Sequence, residues 1–268
     1  MDNMTISDRL VSTHLSLNST ILEENTMQRL DTYLAKLYPH YSRSQLQQWI
    51  RSGAVTVDSR VITKPSCLIA QSAIIILGVQ EPAYVSRAGF KLEKALDHFG
   101  VVVRNKIALD AGLSTGGFTD CLLQRGIKKV YGVDVGSGQV HDKITKDSRV
   151  IVMENTHINA LPDVVEKVDL VTLDLSFISV LRVISSVTKV LKPAGELIVL
   201  IKPQFEVGKH AVGRRGIVKN ESEHARAVTQ VVAGVSAAGF IGMGVIDSPI
   251  TGGDGNKEFL GYFICAKE

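Results

Sequence analysis

The stretch Leu109-Asp-Ala-Gly-Leu-Ser-Thr-Gly-Gly-Phe118 follows a short apolar run and holds three glycines within six residues. Glycines at the carboxyl end of a strand let the backbone turn sharply and approach a ligand closely. A second apolar run ends in an acid, Asp134, which lies 24 positions after Asp110. In an open α/β sheet, an acid at that place accepts hydrogen bonds from ribose hydroxyls. The pattern therefore predicts a nucleotide-type site at the carboxyl edge of a sheet.

Two familiar kinds of site match this turn only in part. A dinucleotide site requires G-x-G-x-x-G, and Ser114 stands in the place of its second glycine. The nucleophile elbow of a hydrolase, G-x-S-x-G, is matched by residues 112–116, and Asp174 and His210 follow in the order of a hydrolase triad. However, the turn follows the first strand of its domain, and no oxyanion-hole motif such as His-Gly-Gly precedes it. Both interpretations are weaker than a third.

The third interpretation is an S-adenosylmethionine site. The segment resembles class I methyltransferases, which carry an acid–x–Gly–x–x–x–Gly turn after the first strand and an acid after the second. Asp110, Gly116 and Asp134 match that order and spacing. Asn155 follows the third apolar run and is expected to contact the adenine edge. The residues predicted to bind S-adenosylmethionine are Asp110, Gly112, Ser114, Gly116, Asp134, Asn155 and Asp174.

Beyond residue 85, apolar runs alternate with helical stretches. Continuous apolar runs such as Leu197–Ile201 are typical of strands that helices cover on both faces. The predicted fold class is α/β, a class I (Rossmann-like) methyltransferase domain with a doubly wound, mostly parallel seven-stranded sheet. Only a loop separates the last two strands, so that pair could be antiparallel. Strands are predicted at 107–111, 129–134, 149–153, 168–174, 195–202, 240–247 and 259–266, and helices at 86–99, 116–125, 177–191 and 222–238.

The preceding part of the chain predicts a small α+β domain. Its apolar spacing indicates two short helices between residues 28 and 50, the second capped by Ser42. A hairpin is predicted at 55–62 around the turn-like Asp58-Ser59, and a further strand at 73–77.

Charge is distributed unevenly along the chain, whose net charge is +3. Residues 1–27 carry a net charge of −3, whereas residues 28–70 hold six basic and two acidic residues. A small basic domain beside a near-neutral one is typical of a polyanion-binding accessory domain, but an ordinary solvated surface has the same composition. Charge alone leaves both interpretations open.

Composition limits the compartment and the class of protein. No stretch approaches the ~18 unbroken apolar residues of a membrane span. Cys67, Cys121 and Cys265 are too far apart to suggest a disulfide framework or a metal site, which points to a reducing compartment. Residues 1–27 hold four acids and a single arginine, unlike a transit peptide. We expect a cytoplasmic protein, with a chloroplast or mitochondrion as the alternative if residues 1–27 derive from a leader.

Five phrases between Ser86 and Glu258 resemble one family. They are S-R-x-G-x-K-L, D-x-G-x-S-T-G-G-F-T-D, D-x-S-F-I-S, K-P-Q-F-E and G-N-x-E, present in this order. Together they resemble the hemolysin-A/TlyA branch of the FtsJ-like 2′-O-ribose methyltransferases. The resemblance covers nearly everything beyond residue 27.

The resemblance implies a catalytic tetrad of Lys91, Asp174, Lys202 and Glu258. Methyl transfer needs an in-line nucleophile held about 3 Å away, and a ribose 2′-hydroxyl must lose its proton as the new bond forms. Lys202 is the candidate base, because burial or a nearby cation such as Lys91 favours a neutral amine. Asp174 would orient Lys202 and the hydroxyl. Glu258 would hold Lys91 or the target ribose.

The basic domain resembles the alpha-L RNA-binding motif of a small-subunit ribosomal protein, pseudouridine synthases and tyrosyl-tRNA synthetases. Arg29-Leu-Asp, Ser42-Arg-Ser and the hairpin from Gly53 to Val61 carry the likeness. The resemblance implies phosphate contacts, which set register and affinity rather than base specificity. The residues predicted to make them are Arg29, Arg43, Arg51, Arg60 and Lys64.

These patterns together predict an RNA 2′-O-methyltransferase acting on ribosomal RNA or a ribosomal subunit, with no obligatory protein partner. The predicted organisation is a disordered extension (1–27), an RNA-binding domain (28–78), a linker (79–84) and a methyltransferase domain (85–268). Two alternatives are a membrane-active hemolysin and a non-catalytic RNA-binding protein. Liposome leakage by a Lys202→Ala protein would favour the first, and RNA binding without cofactor binding would favour the second.

Overall fold

A computed structural model describes residues 27–39, 41–78, 83–161 and 165–266. The chain divides into two compact units, of which unit 1 ends at Glu81 and unit 2 begins at Pro82. The predicted extension, residues 1–27, lies outside the described residues except for Met27. Met27 belongs to the first strand, which corrects the predicted boundary by one residue.

Unit 1 packs two helices against short strands around a small apolar core. Ser42 caps the second helix as predicted, because its Oγ accepts a hydrogen bond from the backbone N–H of Gln45 at 3.2 Å. The first and fourth strands form a two-stranded sheet that was not predicted, since each has only three residues and they are far apart in the sequence. The elements are β1 (Met27–Arg29), α1 (Leu30–Leu37), α2 (Arg43–Arg51), β2 (Val55–Val57), β3 (Arg60–Val61), β4 (Leu68–Ala70) and β5 (Ile75–Leu77).

The β2–β3 hairpin has the predicted two-residue turn. Asp58 (φ 47°) and Ser59 (φ 67°) both adopt the left-handed backbone conformation. Such turns match the twist of a hairpin, but they favour Asn-Gly because other residues are strained there. The carboxylate of Asp58 offsets part of this strain by accepting a hydrogen bond from Ile74 N at 2.9 Å.

Unit 2 is built on one seven-stranded sheet in the order β11-β12-β10-β9-β6-β7-β8. All neighbouring strands are parallel except that β12 runs antiparallel to both β10 and β11, which confirms the predicted mostly parallel sheet and its antiparallel last pair. The strands are β6 (Ile107–Ala111), β7 (Lys129–Val133), β8 (Val150–Met153), β9 (Val168–Leu173), β10 (Leu191–Ile201), β11 (Phe240–Asp247) and β12 (Phe259–Cys265).

Helices cover both faces of this sheet, as the continuous apolar strands predict. Leu109 and Ala111 of β6 pack in one core layer, and Ala108 packs in the other. Among the described residues, no helix has the length and apolar character needed to cross a membrane. The helices are α3 (Ala88–Phe99), α4 (Gly117–Gln124), α5 (Asp142–Thr145), α6 (Ile184–Val190), α7 (Pro203–Glu206) and α8 (Glu221–Ala237).

The helix predicted at 177–191 is wrong in its first half. A 3₁₀ turn occupies Val180–Arg182, and the α-helix starts only at Ile184. Phe177 has a positive φ of 69°, which a helix does not allow. Ser179 then caps the 3₁₀ turn by accepting a hydrogen bond from Leu181 N at 3.2 Å.

The predicted linker also ends too late. Tyr84 is buried in the core of unit 2, and its hydroxyl donates to Glu93 Oε1 at 2.7 Å. The carbonyl oxygen of Ala83 accepts a hydrogen bond from Gln124 Nε2 at 2.6 Å. Residues 83 and 84 therefore pack on unit 2, while residues 79–82 of the predicted linker lie outside the described ranges.

Strand order places a ligand crevice beyond β6. The chain passes from β6 to β7 on one side and returns to β9 on the other, so β6 is the switch point of the sheet. Crevices at such points bind ligands in open α/β sheets. The glycine-rich turn therefore lies at the position where open α/β sheets bind ligands.

Replacing the two turn residues with an Asn-Gly pair tests the strain at β2–β3. We expect the double variant Asp58→Asn, Ser59→Gly to stabilise the hairpin by about 1 kcal/mol, because both new residues tolerate positive φ. Hydrogen–deuterium exchange of the amides of residues 54–62 would measure it as increased protection. Ser59→Ala keeps the Cβ and should give no increase. Unchanged or reduced protection in the double variant would contradict the strain.

Candidate active site

The glycine-rich turn is pressed against the end of β9. Gly112 has a φ of +88°, and a Cβ there would overlap the carbonyl oxygen of Asp174. The backbone N–H of Asp174 in turn donates to the carbonyl of Ala111 at 3.0 Å. Glycine at position 112 is therefore required both by its backbone conformation and by the close approach of the neighbouring strand.

Asp110 supports this turn from below. Its side chain is fully buried, and its two carboxylate oxygens accept hydrogen bonds from the hydroxyls of Thr119 (2.7 Å) and Thr172 (2.8 Å). Burial raises the pKa of Asp110 to about 6, although both hydroxyls oppose the shift. The carboxylate joins α4 and β9 to β6. Asp110, one of the predicted cofactor residues, thus lies beneath the turn and is not among the residues that line the adjacent cavity.

A cavity of about 470 Å³ opens beside the turn, within the size range of small-molecule sites. Asp134 lies on its wall, and its two oxygens accept backbone hydrogen bonds from Ser114 and Gly136, each at 2.7 Å. Val135 and Ile158 supply apolar surface. The cavity lining is Ala111, Gly112, Ser114, Val133, Asp134, Val135, Gly136, Gln139, Thr156, His157, Ile158, Asp174, Leu175, Ser176, Phe177 and Ile178.

The structure brings four of the seven predicted cofactor residues to this wall: Gly112, Ser114, Asp134 and Asp174. Gly116 instead lies at the start of α4, with a φ of +95° and a tight approach to Ile144. Asn155 is exposed, with a φ of 51°, and its N–H donates to Gly136 O at 3.1 Å. The residues following Asn155, rather than its side chain, form that part of the wall.

The four predicted catalytic residues form two ion pairs. Lys91 Nζ lies 2.5 Å from Glu258 Oε2, and Lys202 Nζ lies 2.6 Å from Asp174 Oδ1. Both lysines are at most 9% exposed, so neither is an ordinary solvated surface lysine. Buried ammonium groups are retained only where they are paired or used.

The register of the sheet brings the two pairs to one edge. Ile201 of β10 is opposite Phe259 of β12, so Lys202 and Glu258 are the next opposed positions beyond that pair. Asp174 directly follows β9, the other neighbour of β10. Residues that are far apart in the sequence therefore meet where parallel strands end and the antiparallel strand begins.

Lys202 joins two side chains that follow β9. Its Nζ forms the ion pair with the buried Oδ1 of Asp174 and donates a hydrogen bond to Ser176 Oγ at 3.0 Å. A buried carboxylate is stabilised by such a paired cation, so the ion pair holds Asp174 and Lys202 together at the end of the two strands.

Several supporting residues were not predicted, although they lie within or beside the family phrases. Glu206 is buried and accepts hydrogen bonds from Ser179 Oγ (2.6 Å) and Val180 N (2.9 Å), which ties the loop after β9 to the segment after β10. Burial raises the pKa of Glu206. Asn256 is also buried, and its amide bonds to Val218 N and Gly216 O. The only sequence signal for this role, which is to join two loops by buried hydrogen bonds, is that Glu206 and Asn256 lie within the short family phrases.

In unit 1, the predicted phosphate-binding residues are not all free surface groups. Arg29 and Arg43 both donate to the fully buried carboxylate of Asp31. Arg51 donates to Gln47 Oε1 at 3.3 Å. Arg60 and Lys64 are exposed, and neither takes part in these contacts with Asp31 and Gln47. Both remain predicted phosphate contacts.

Two family models match the chain, one for each unit. Residues 84–266 match the model of the FtsJ-like methyltransferases. Residues 28–73 match the model of the S4 domain.

Relatives and a solved structure are similar over most of the chain. YqxC of Bacillus subtilis, named as a candidate rRNA methyltransferase, is 41% identical over 87% of this chain and 84% of its own length. The 16S/23S rRNA (cytidine-2′-O)-methyltransferase TlyA of Mycobacterium tuberculosis is 38% identical over 87% of this chain and 88% of its own. The structure of a candidate hemolysin from Streptococcus thermophilus has a TM-score of 0.70 at 35% identity, covering 91% of this chain and 90% of that one.

The raised pKa of Asp110 predicts a pH-dependent contribution to stability. An unfolded aspartate ionises near 3.9, whereas Asp110 does so at about 6 in the folded protein. Between these values the folded state binds one proton more, so this group stabilises the fold at acidic pH and loses that effect as pH rises. We expect the free energy of unfolding of the wild type, minus that of Asp110→Asn, to fall by up to about 3 kcal/mol over this window.

Urea unfolding followed by circular dichroism between pH 4 and 7 would measure the difference. Thr119→Val serves as the matched variant, because losing a hydrogen bond that lowers the pKa should move the window to higher pH. A difference that stays constant from pH 4 to 7 would contradict the burial of an ionisable carboxyl at this position.

Proposed function

The chain belongs to the FtsJ-like methyltransferase family, and we propose that it transfers a methyl group from S-adenosylmethionine to a ribose 2′-hydroxyl of ribosomal RNA. The observation that carries the proposal is the pair of buried lysine–carboxylate contacts at the edge of a cavity that also presents Asp134. A buried lysine with a paired acid beside a nucleotide-type cavity fits proton transfer from a hydroxyl better than it fits binding alone.

The residues of the cavity fit S-adenosylmethionine. Asp134 has both oxygens anchored by backbone N–H groups, and each oxygen keeps a lone pair for ribose hydroxyls. Gly112 brings bare backbone to the wall, and Val135 and Ile158 provide apolar faces for a base. When bound there, the cofactor supplies an electrophilic methyl group on a sulfonium, whose positive charge also favours the neutral form of a nearby lysine.

Lys202 is the residue that takes the proton from the 2′-hydroxyl in this proposal. Its Nζ lies within contact of Asp174 and Ser176, both on the cavity wall. Lys202 can act as the base only as a neutral amine, so the proton of its ammonium leaves to solvent before the reaction. The 2′-hydroxyl would then bind beside the Lys202–Asp174 contact, and Nζ takes its proton as the ribose oxygen bonds to the methyl group.

Lys91 and Glu258 position the other side of the ribose. Lys91 comes from α3, which follows Ser86 on the turn side of the site, and Glu258 comes from the start of β12. Gly252 leaves room for the carboxylate, since a Cβ there would come within 2.5 Å of Glu258 Oε1. Their ion pair fixes two polar groups next to Lys202, where a ribose needs donors and acceptors.

Ribosomal RNA is the proposed substrate because unit 1 matches the S4 domain and because the relatives of this chain include ribosomal RNA methyltransferases. A basic accessory domain can supply contacts to RNA phosphates. We therefore propose that unit 1 holds the RNA while unit 2 methylates it.

Transfer of tritiated methyl from S-adenosylmethionine to purified ribosomal subunits tests the proposal. We expect Lys202→Ala to lower kcat by about 10²–10⁴-fold, because it removes the proton acceptor. S-adenosylmethionine binding, measured by calorimetry, should be retained. Lys189→Ala removes an exposed lysine of α6 and should leave both unchanged.

Mapping of the labelled RNA should locate the methyl group on a ribose. The proposed mechanism would be contradicted if the wild type transferred no labelled methyl group to the RNA, or if Lys202→Ala transferred it undiminished. Methylation of a base instead of a ribose would retain the enzyme class but reject the hydroxyl chemistry.

A further inference from the structure

Unit 1 buries one acid completely beneath its basic surface. Asp31 lies in the first turn of α1 and is 0% exposed. The N–H groups of Asp31 and of the preceding residue bond to the turn after β3, since Leu30 N donates to Cys67 O (2.8 Å) and Asp31 N donates to Pro65 O (3.0 Å). The backbone position of Asp31 is therefore fixed independently of its side-chain contacts.

Four side chains donate to this carboxylate, of which Thr32 is the most distant, with its Oγ1 3.4 Å from Asp31 Oδ1. Arg29 reaches it through Nε (3.0 Å) and Nη2 (3.1 Å), and Arg43 reaches it through Nη2 (2.9 Å) and Nε (3.2 Å). Gln47 donates from Nε2 at 2.8 Å, and its Oε1 accepts from Arg51 Nη2 at 3.3 Å. Asp31 thus holds two arginines directly and a third through Gln47.

The carboxylate stays ionised in this position. The hydrogen bond from Arg29 is the main reason why the pKa of Asp31 lies well below its usual range. Burial acts in the opposite direction, and the hydrogen bonds from Gln47 and Arg43 lower the pKa further. The network therefore holds one negative charge, on Asp31, and three positive charges, on Arg29, Arg43 and Arg51, so its net charge is positive.

The arginines keep their outer edges available. The Arg29 and Arg43 side chains are 48% and 54% exposed, although each donates two N–H groups to Asp31. Because Nε and Nη2 are used on the inside, the Nη1 group of each faces away from Asp31. A guanidinium held on one edge and open on the other is prepared to bind a phosphate oxygen.

A purely structural role explains this arrangement less well. Half-exposed ion pairs contribute little to stability, and a buried carboxylate must first be removed from water. An apolar residue at position 31 would meet the packing requirement of α1 without that cost. The network instead fixes three flexible cationic side chains in place, which reduces the conformational entropy that they lose on binding a ligand.

We propose that Asp31 and Gln47 are positioning residues that fix Arg29, Arg43 and Arg51 as one clamp for the phosphate backbone of RNA. The proposal rests on the proposed function for the identity of the ligand. It assigns different roles within the set of predicted RNA contacts: three arginines act as one rigid group, whereas Arg60 and Lys64 act individually. The turn that carries Lys64 is nevertheless tied to the same helix start, through Cys67 N to Lys64 O (3.0 Å) and the two bonds to α1.

Asp31→Asn gives a test in which the two explanations predict opposite signs. The substitution removes a negative charge from a basic surface, so simple electrostatics predicts tighter binding to RNA. If Asp31 positions the arginines, binding weakens instead, by about 10-fold, because three side chains must be ordered on binding. The slope of log K against log salt should also become shallower by about 1–2 phosphate contacts.

Asp58→Asn is the matched control. It makes the same change in charge in the same unit, keeps an oxygen for Ile74 N, and places a residue that tolerates the positive φ of the turn. Its binding to RNA should be unchanged or slightly tighter. Gln47→Met is the second test variant, because Met has a similar helix propensity but can bond neither Asp31 nor Arg51; it should weaken binding by a smaller factor.

The measurement is equilibrium binding of the full chain to a 23S rRNA transcript at several salt concentrations, together with methyl transfer to ribosomal subunits. A positioning defect raises KM for RNA and leaves kcat at saturating RNA unchanged. The fluorescence of Trp49, the chain's one tryptophan, reports whether unit 1 is folded in each variant. If Asp31→Asn is unfolded, Gln47→Met decides the question.

Equal or tighter binding by a folded Asp31→Asn protein, or by Gln47→Met where Asp31→Asn is unfolded, would overturn the clamp. In that case, methyl transfer by the wild type would leave the proposed function intact. A wild type that neither binds nor methylates ribosomal RNA would reject the proposed function, and the clamp's ligand with it. The two failures are therefore distinguishable.

Discussion

The backbone contact between Gly112 and Asp174 is the constraint on which the candidate active site depends. The carbonyl oxygen of Asp174 occupies the space that a Cβ at Gly112 would need, and the N–H of Asp174 is bonded to Ala111. The cofactor turn after β6 and the acid after β9 therefore form one rigid corner. A side chain at position 112 would displace Asp174, which is the ion-pair partner of Lys202. The proposed cofactor site and the proposed proton-transfer site are thus positioned by the same contact.

The antiparallel strand β12 completes what the parallel strands begin. Parallel strands bring only their carboxyl ends to the ligand edge, which accounts for Asp174 and Lys202. An antiparallel strand brings its amino end there, which is how Glu258 comes to lie in register with Lys202. Lys91 arrives from a helix and is held by Glu258. The Lys91–Glu258 pair, and its position beside Lys202, therefore depend on the sheet containing one antiparallel strand at this place.

Local sequence patterns predicted the strands and helices. They did not predict the hydrogen bonds between residues that are far apart in the sequence. The strands at 107–111 and 240–247 coincide with β6 and β11, because apolar runs are local signals. The role of Asp110 could not be predicted, since it depends on Thr172, 62 positions away. The loop at Phe177 is likewise fixed by Glu206 rather than by its own helical pattern. The roles of the tetrad came from a family resemblance, since an isolated lysine or acid has no local signature.

The two units use buried charge in opposite ways, and their choice of cation follows from this. In unit 2 the buried cations are lysines, whose amines can change protonation state when their surroundings change. In unit 1 the buried acid is surrounded by arginines, which remain charged under all ordinary conditions. Arg29 bonds both oxygens of Asp31 and Arg43 donates twice to Oδ2. A lysine at either position could not make two such bonds from one planar edge while leaving an outer edge for another anion. An arginine at position 202 could not accept a proton. In the proposed function, lysine is thus found where a proton is transferred, and in the proposed clamp, arginine is found where a positive charge must keep its position and direction.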